Sequence, residues 1–204
     1  MRQLTARLVL VLALSGCSAC AHLGPAALPG IPLDVDPSLA LIAQNGSGGH
    51  ACPVVNQVLT ARHVTWDPLL RDHVGVTWSS RGQNGYARVY GASPWEDLVS
   101  LALIGGTVTY LPNGVTPQPG DAVYWFEYDF RTQANAYRAR RRVAEVIRSV
   151  ARHLLFDAAP TPGASGTCLF NASGEVVGVV IASDAMDDQK AVGVAVQLDP
   201  DLFQ

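Results

Sequence analysis

Val58-Leu59-Thr60-Ala61-Arg62-His63 puts a histidine at the end of a short apolar run, and two later segments give that histidine a chemical context. The first is Asp97-Leu98-Val99-Ser100-Leu101-Ala102-Leu103, an acid opening a stretch that is apolar on both faces. The second is Gly163-Ala164-Ser165-Gly166, a serine between glycines. A base, a residue to orient it and a hydroxyl are the minimum set for covalent acyl transfer. Their order is informative. No histidine follows Ser165, the last being His153, and Thr167 stands where a Gly-x-Ser-x-Gly elbow needs its second glycine. That excludes the strand-elbow-helix type of serine hydrolase and leaves the order His, Asp, Ser. The other histidines, His22, His50, His73 and His153, have no comparable surroundings.

Outward from these motifs the chain reads as short apolar runs broken by turn residues. Strands are expected at Leu39 to Ala43, Cys52 to Ala61, His73 to Trp78, Gly85 to Tyr90 and Leu98 to Ile104. A second series covers Ala122 to Phe126, Val143 to Val150, His153 to Phe156, Cys168 to Asn171, Val176 to Ile181 and Ala191 to Gln197. Many short strands at even spacing suggest a sandwich or barrels. The break from Pro112 to Pro119 divides them into halves of similar size, consistent with two small Greek-key barrels. Tyr137 to Leu155 is ambiguous, because Val143, Ile147, Val150 and Leu154 also suit an amphipathic helix. Its β-branched content favours strands. Leu198 to Gln204 leaves room for a short helical turn at most.

Composition narrows the function classes. Charged residues make up 15% and hydrophobic residues 49% of the 204, which suits a globular chain and argues against disorder. A net charge of -3 gives no footprint for nucleic acid. The basic cluster Arg138-Ala139-Arg140-Arg141-Arg142 lacks interleaved aromatics and reads as a solvated strand or loop face, the alternative being an anion site. No cofactor is implied. A metal site of His50, Cys52 and Cys168 has no familiar ligand spacing.

The N-terminus reads as an export signal: Arg2 and Arg7, the apolar run Leu8 to Leu14, then Ser15-Gly16-Cys17. The run is far shorter than the roughly 20 residues that span a bilayer. Leu14-Ser15-Gly16-Cys17 resembles the lipobox of bacterial lipoproteins, in which the cysteine is acylated; an ordinary cleaved signal is the alternative. Residues 1–16 are thus expected to be a lipoprotein signal and Cys17 the anchor on a membrane facing the periplasm or exterior. Residues 17–37, rich in Ala, Gly and Pro, are expected to form a tether. The two barrels are expected at 38–114 and 115–204.

The three motifs resemble the trypsin-like serine peptidases of the chymotrypsin fold, and most closely the compact bacterial members. The histidine segment is similar to that family's L-T-A-x-H, the aspartate segment to its D-[LIV]-A-[LV]-L, and Gly163 to Gly166 to its G-x-S-G. Gly46-Ser47-Gly48-Gly49, Pro119 to Tyr124, and Phe156-Asp157-Ala158 through Val180 extend the resemblance over most of the chain from about Leu39. It implies an all-β fold of two Greek-key barrels with the active site between them. It further implies His63, Asp97 and Ser165 as catalytic residues, and the N–H groups of Gly163 and Ser165 as oxyanion hole. The substrate pocket is implied at Ala158, Ala159, Ile181, Ala182, Ser183 and Gly193. With no acid clearly at its base, although Asp157 is close in sequence, small or apolar side chains are expected before the scissile bond of a protein or peptide substrate. In such a fold Cys52 and Cys168 come near enough to be candidate disulfide partners, with Cys20 left over.

Three departures from the family pattern matter. Ala164 stands where the digestive enzymes carry the aspartate that pairs with a freed N-terminus. Thr167-Cys168 replaces the usual Gly-Pro, and Arg62 puts a long cation before the base. The leading expectation is a membrane-anchored serine endopeptidase. The alternatives are a catalytically inactive relative serving as an envelope binding lipoprotein, and a structural lipoprotein with an accidental Gly-x-Ser-Gly.

Overall fold

The computed structural model describes residues 38–80, 83–128, 139–185 and 191–198. The signal, Cys17, Cys20, the tether and the expected C-terminal turn lie outside these residues. The described chain is almost wholly β. It has β1 (Leu39–Ala43), β2 (Gly48–Val54), β3 (Gln57–Ala61), a single helical turn α1 (Arg62–Thr65), β4 (Trp66–Asp67), β5 (Asp72–His73), β6 (Val76–Ser80), β7 (Gln83–Ala92) and β8 (Leu98–Ile104). Then follow β9 (Ala122–Tyr128), β10 (Ala139–Val150), β11 (His153–Phe156), β12 (Cys168–Asn171), β13 (Val176–Ala185) and β14 (Ala191–Gln197). The strands close two barrels in the orders β1-β2-β3-β8-β7-β6 and β10-β11-β14-β13-β12-β9. Each barrel therefore has six antiparallel strands in equivalent order and no edge strand, while β4 and β5 form a separate two-stranded sheet.

Most strands start and stop where the turn residues place them. The expected run from Cys52 to Ala61 is two strands, because Asn56 adopts φ 65° and reverses the chain between β2 and β3. The ambiguous stretch is the hairpin of β10 and β11, turned by Ala151 at φ 51° and paired from Val150 with His153 to Val146 with Phe156. It is a strand because its apolar positions cover a sheet face: Ala144 and Val146 are buried in the second barrel while Val143 and Val150 are exposed. The basic cluster is more engaged than a solvated face. The Arg141 guanidinium lies 4.1 Å from the centre of the Tyr124 ring, and Arg142 Nε lies 3.7 Å from Glu127 Oε2. Burial pushes the Tyr124 hydroxyl up to about 12, with Arg141 opposing.

The core has two parts, and their boundary positions the site. One cluster fills the second barrel with Trp125, Leu154, Phe156, Leu169, Val177 and Val180. The other fills the first barrel and continues between the barrels through Tyr124, Phe126, Cys168, Phe170 and Ile181. Residues of β2 after its first are all buried, since one face lines the first barrel and the other meets the second. Across that seam Cys52 of β2 is disulfide-bonded to Cys168 of β12, with a Cα separation of 5.0 Å.

Candidate active site

Ser165 stands on the loop from β11 to β12, and the loop meets β2 through backbone bonds. The His50 N–H donates to the Ser165 carbonyl at 2.8 Å, and the Gly166 N–H donates to the Val180 carbonyl at 2.7 Å. Gly166 has φ 88°, and a Cβ there would overlap the His50 carbonyl and lie 2.6 Å from Thr60 Oγ1. Only glycine suits both the conformation and the approach. This explains the glycine after the serine from geometry.

His63 lies in α1, two residues beyond the end of β3, so the strand ladder fixes its backbone. Leu59, Thr60 and Ala61 of β3 pair with Ser100, Val99 and Leu98 of β8. Asp97 immediately precedes β8 and so emerges beside α1. The Asp97 carboxylate accepts from the His63 backbone N–H at 3.0 Å and from Nδ1–H at 2.6 Å. That arrangement assigns the proton to Nδ1 and leaves Nε2 as acceptor for the Ser165 hydroxyl, 2.9 Å away. The described site thus forms one hydrogen-bonded line from acid to imidazole to hydroxyl, with a base from the first barrel and a serine from the second.

The loop that carries Asp97 is closed by its own residues. Ser93 is fully buried, and its hydroxyl accepts the N–H groups of Trp95 at 3.4 Å and Glu96 at 3.2 Å. Ser93 therefore caps the turn, and the Asp97 side chain is left for His63. The Arg62 guanidinium donates to the Ser93 carbonyl. The long cation before the base thus fastens the acid's loop. Glu96 reaches across to the second barrel, its carboxylate 3.0 Å from His153 Nε2. His73 supports α1 from below: its Nδ1 is 2.9 Å from the Thr65 hydroxyl and its ring meets Trp66 edge-on. Burial, and next the Arg62 charge, hold its pKa below the ordinary 6.5, with Asp72 opposing.

The two residues after Gly166 are both put to structural use. Thr167 is fully buried, its hydroxyl directed at the Phe126 carbonyl at 3.4 Å and at Ser38 Oγ at 3.2 Å, and Cys168 is in the disulfide.

Around Ser165 the loop leaves two backbone donors unused: among the described residues, the N–H groups of Gly163 and Ser165 have no hydrogen-bond acceptor. Beside the serine is a cavity of about 100 Å³ lined by Pro160, Thr161, Pro162, Ser165, Val180, Ala182 and Ser183. Of the residues expected in a pocket, Ala182 and Ser183 line it, whereas Ala158, Ala159, Ile181 and Gly193 do not. Ala158 packs on the second-barrel core, and the Ile181 side chain faces the core between the barrels. Gly193 faces Phe156, whose ring a Cβ would overlap. A register shift in β13 between Val180 and Ala182 changes which side chains reach the cavity. Asp157 is engaged elsewhere, accepting the Glu145 N–H at 2.8 Å, and no acid is among the described residues that line the cavity.

Sequence reasoning missed two groups that touch this loop. His50 Nδ1 is 2.9 Å from the Gly163 carbonyl, and Glu127 Oε1 is 2.9 Å from the Thr161 nitrogen. Glu127 carried a usable signal, as the one carboxylate in the apolar run Ala122 to Tyr128. A buried acid needs partners.

Comparison with known proteins agrees with this architecture. A serine endoprotease from Yersinia pestis superimposes with a TM-score of 0.63 at 18% identity, over 80% of this chain and 59% of that one. A human astrovirus serine protease gives 0.63 at 18% identity, over 83% and 95% of the two chains. An HtrA-type protease solved with a decapeptide gives 0.58 at 20% identity, over 73% and 47%. The chain thus spans less than two thirds of the Yersinia and HtrA-type structures. No curated protein matches it significantly. The sequence model of the trypsin-like peptidase domain matches residues 41–179, more than half of the chain and a span that includes His63, Asp97 and Ser165; the chain belongs to the trypsin-like peptidase domain family.

Proposed function

We propose that this protein is a serine endopeptidase that hydrolyses peptide bonds through an acyl-enzyme at Ser165, and that it is held on a bacterial membrane, facing the periplasm or exterior, by lipid on Cys17. The observation that carries the catalytic reading is the line from Asp97 to His63 at 2.6 Å and from His63 to Ser165 at 2.9 Å. Each distance is that of a working hydrogen bond.

The chemistry follows from the proton positions. His63 Nε2 removes the hydroxyl proton as Ser165 Oγ attacks the scissile carbonyl carbon. Asp97 stabilises the imidazolium that results and keeps its Nδ1 proton in place. The carbonyl oxygen, now an anion, is met by the N–H groups of Gly163 and Ser165, a kind of contact worth about 10²–10³ in rate per donor. Collapse of the tetrahedral intermediate breaks the C–N bond, and His63 gives its proton to the leaving amine. Water, deprotonated by the same imidazole, then hydrolyses the ester and restores Ser165.

The small cavity, with no acid among the described residues of its lining, favours a small or apolar side chain before the scissile bond over Lys or Arg. The anchoring rests on Leu14-Ser15-Gly16-Cys17 and on the tether composition of residues 17–37. A buried disulfide suits an oxidising compartment outside the cytoplasm.

Peptide hydrolysis by wild type and Ser165→Ala tests the catalytic reading. The variant is expected to lose roughly 10⁴–10⁶ of kcat, on the scale of other serine triads. Equal rates for the two proteins would refute it. Anchoring is tested separately: Cys17→Ser is expected to shift the protein from the membrane to the soluble fraction, and an unchanged membrane fraction would refute it.

A further inference from the structure

The loop that carries Ser165 has no strand ladder from Asp157 to Thr167, so something else must fix the peptide planes on which an oxyanion hole depends. Its internal bonds are turns: the Ala164 N–H donates to the Thr161 carbonyl at 3.0 Å and the Thr167 N–H to the Ala164 carbonyl at 3.1 Å. Such turns give the loop a shape but do not place it. Placement comes from opposite sides. From the first barrel, His50 takes hold of two carbonyls, its backbone N–H on Ser165 and its ring on Gly163. A carbonyl only accepts, so His50 carries its proton on Nδ1. From the second barrel, Glu127 Oε1 accepts the Thr161 N–H at 2.9 Å and the Trp125 indole N–H at 3.0 Å.

Together these contacts fix the planes that matter. The peptide from Gly163 to Ala164 is held at its oxygen by His50 and at its N–H by Thr161. The peptide from Ser165 to Gly166 is held at its oxygen by His50 and at its N–H by Val180. The planes so pinned alternate with those bearing the Gly163 and Ser165 N–H groups, which make no hydrogen bond among the described residues. Ala164, whose side chain is buried, contributes no charge to this arrangement. Glu127 is 5% exposed, and burying a carboxylate is expensive unless it is paired and bonded. The neighbouring strand β10 offers Arg142, 3.7 Å from Oε2, as partner, and the other oxygen serves the loop.

We propose that Glu127 and His50 are positioning residues that clamp the loop 161–166 from the two barrels and so build the oxyanion hole within the folded chain. This rests on the serine peptidase reading. Neither residue touches the substrate; both act through the backbone of Thr161, Gly163 and Ser165. The clamp is made by an imidazole and a carboxylate already in the chain, so it needs no newly freed N-terminus.

The test compares kcat and KM on a chromogenic peptide, with active sites titrated and thermal stability measured, for paired variants of the purified protein. His50→Asn keeps an N–H donor near the Nδ1 position, and His50→Gln moves the donor outward. Glu127→Gln keeps an acceptor for Thr161, and Glu127→Met removes it. His50→Gln and Glu127→Met are expected to lose about 10–100-fold in kcat, the scale of a misplaced reacting geometry, with KM within about twofold. His50→Asn and Glu127→Gln are expected to stay within about fivefold of wild type on the same scale. Equal kcat within each folded pair, while wild type is active and Ser165→Ala is not, would overturn the clamp alone. Should Glu127→Met fail to fold, the His50 pair decides by the same criterion. A wild type without peptidase activity would overturn the peptidase reading and the clamp with it.

Discussion

Replacing both Cys52 and Cys168 with alanine should cost much of the stability of this fold, and the size of the effect follows from where the bond sits. It closes 116 residues of sequence, nearly everything between β2 and β12, and links the two barrels. The loop-closure relation gives an entropy of about 16 cal/mol/K for a chain of that length, or about 5 kcal/mol at 25 °C. Domains are typically stable by about 5–15 kcal/mol, so the loss is a large fraction of the total. For a chain of this size each kcal/mol moves Tm by about 2–4 °C, and the double variant should melt about 10–20 °C below wild type. Both cysteines are fully buried, so reductant should act on wild type only after unfolding. Circular dichroism melts of wild type and double variant, with and without reductant, measure this. A double variant melting within about 2 °C of oxidised wild type would refute the reasoning, because a cross-barrel closure of this length cannot be thermally silent on the loop-closure account.

Gly166→Ala should lose activity by at least about 10²-fold, since the new Cβ would displace either the His50 carbonyl or the serine loop; the rate on a chromogenic peptide checks it, and a near-normal rate would contradict the packing. Arg62→Met should lower kcat by about tenfold at little change in KM, because the Asp97 loop loses its tie to Ser93, and steady-state kinetics separate the two parameters. His73 binds fewer protons folded than unfolded, so its contribution to stability is complete above pH 6.5 and declines as pH falls below that value. Denaturant melts from pH 8 to 5 should therefore fall more steeply for wild type than for His73→Asn. A substrate-library profile should favour small or apolar residues before the scissile bond, and dominance of Arg or Lys there would contradict the cavity lining.

The parts of this molecule that were legible in the sequence are those where local chemistry carries the signal. Asp97 to Leu103 announced a buried strand opened by an acid, and β8 begins at Leu98. Cys168 to Asn171 and Ala191 to Gln197 were bounded by turn residues and form β12 and β14 with those limits. Gly46 to Gly49 was legible as part of the family resemblance and not as the start of a strand, yet β2 starts at Gly48, and the lack of a side chain at Gly49 lets β2 pass Val64 and the Ser165 carbonyl closely. The site's second set of residues was not legible, for a physical reason. His50 and Glu127 act on Gly163 and Thr161 across 113 and 34 residues of sequence, and such contacts have no local pattern. Arg62 was visible as an unusual neighbour of the base, but its direction was set by the Ser93 carbonyl in a loop that only the fold brings near. The pocket was harder still, since the register shift in β13 decides which of Val180, Ile181 and Ala182 faces the cavity.

The most direct test of the central claim is labelling by a fluorophosphonate, which reacts with a serine hydroxyl only when a base and oxyanion donors have activated it. The account predicts one label per folded wild-type molecule, located at Ser165 by peptide mapping, and none on Ser165→Ala or on heat-denatured wild type. Folded wild type that takes no label, or a label that persists on Ser165→Ala, would contradict it.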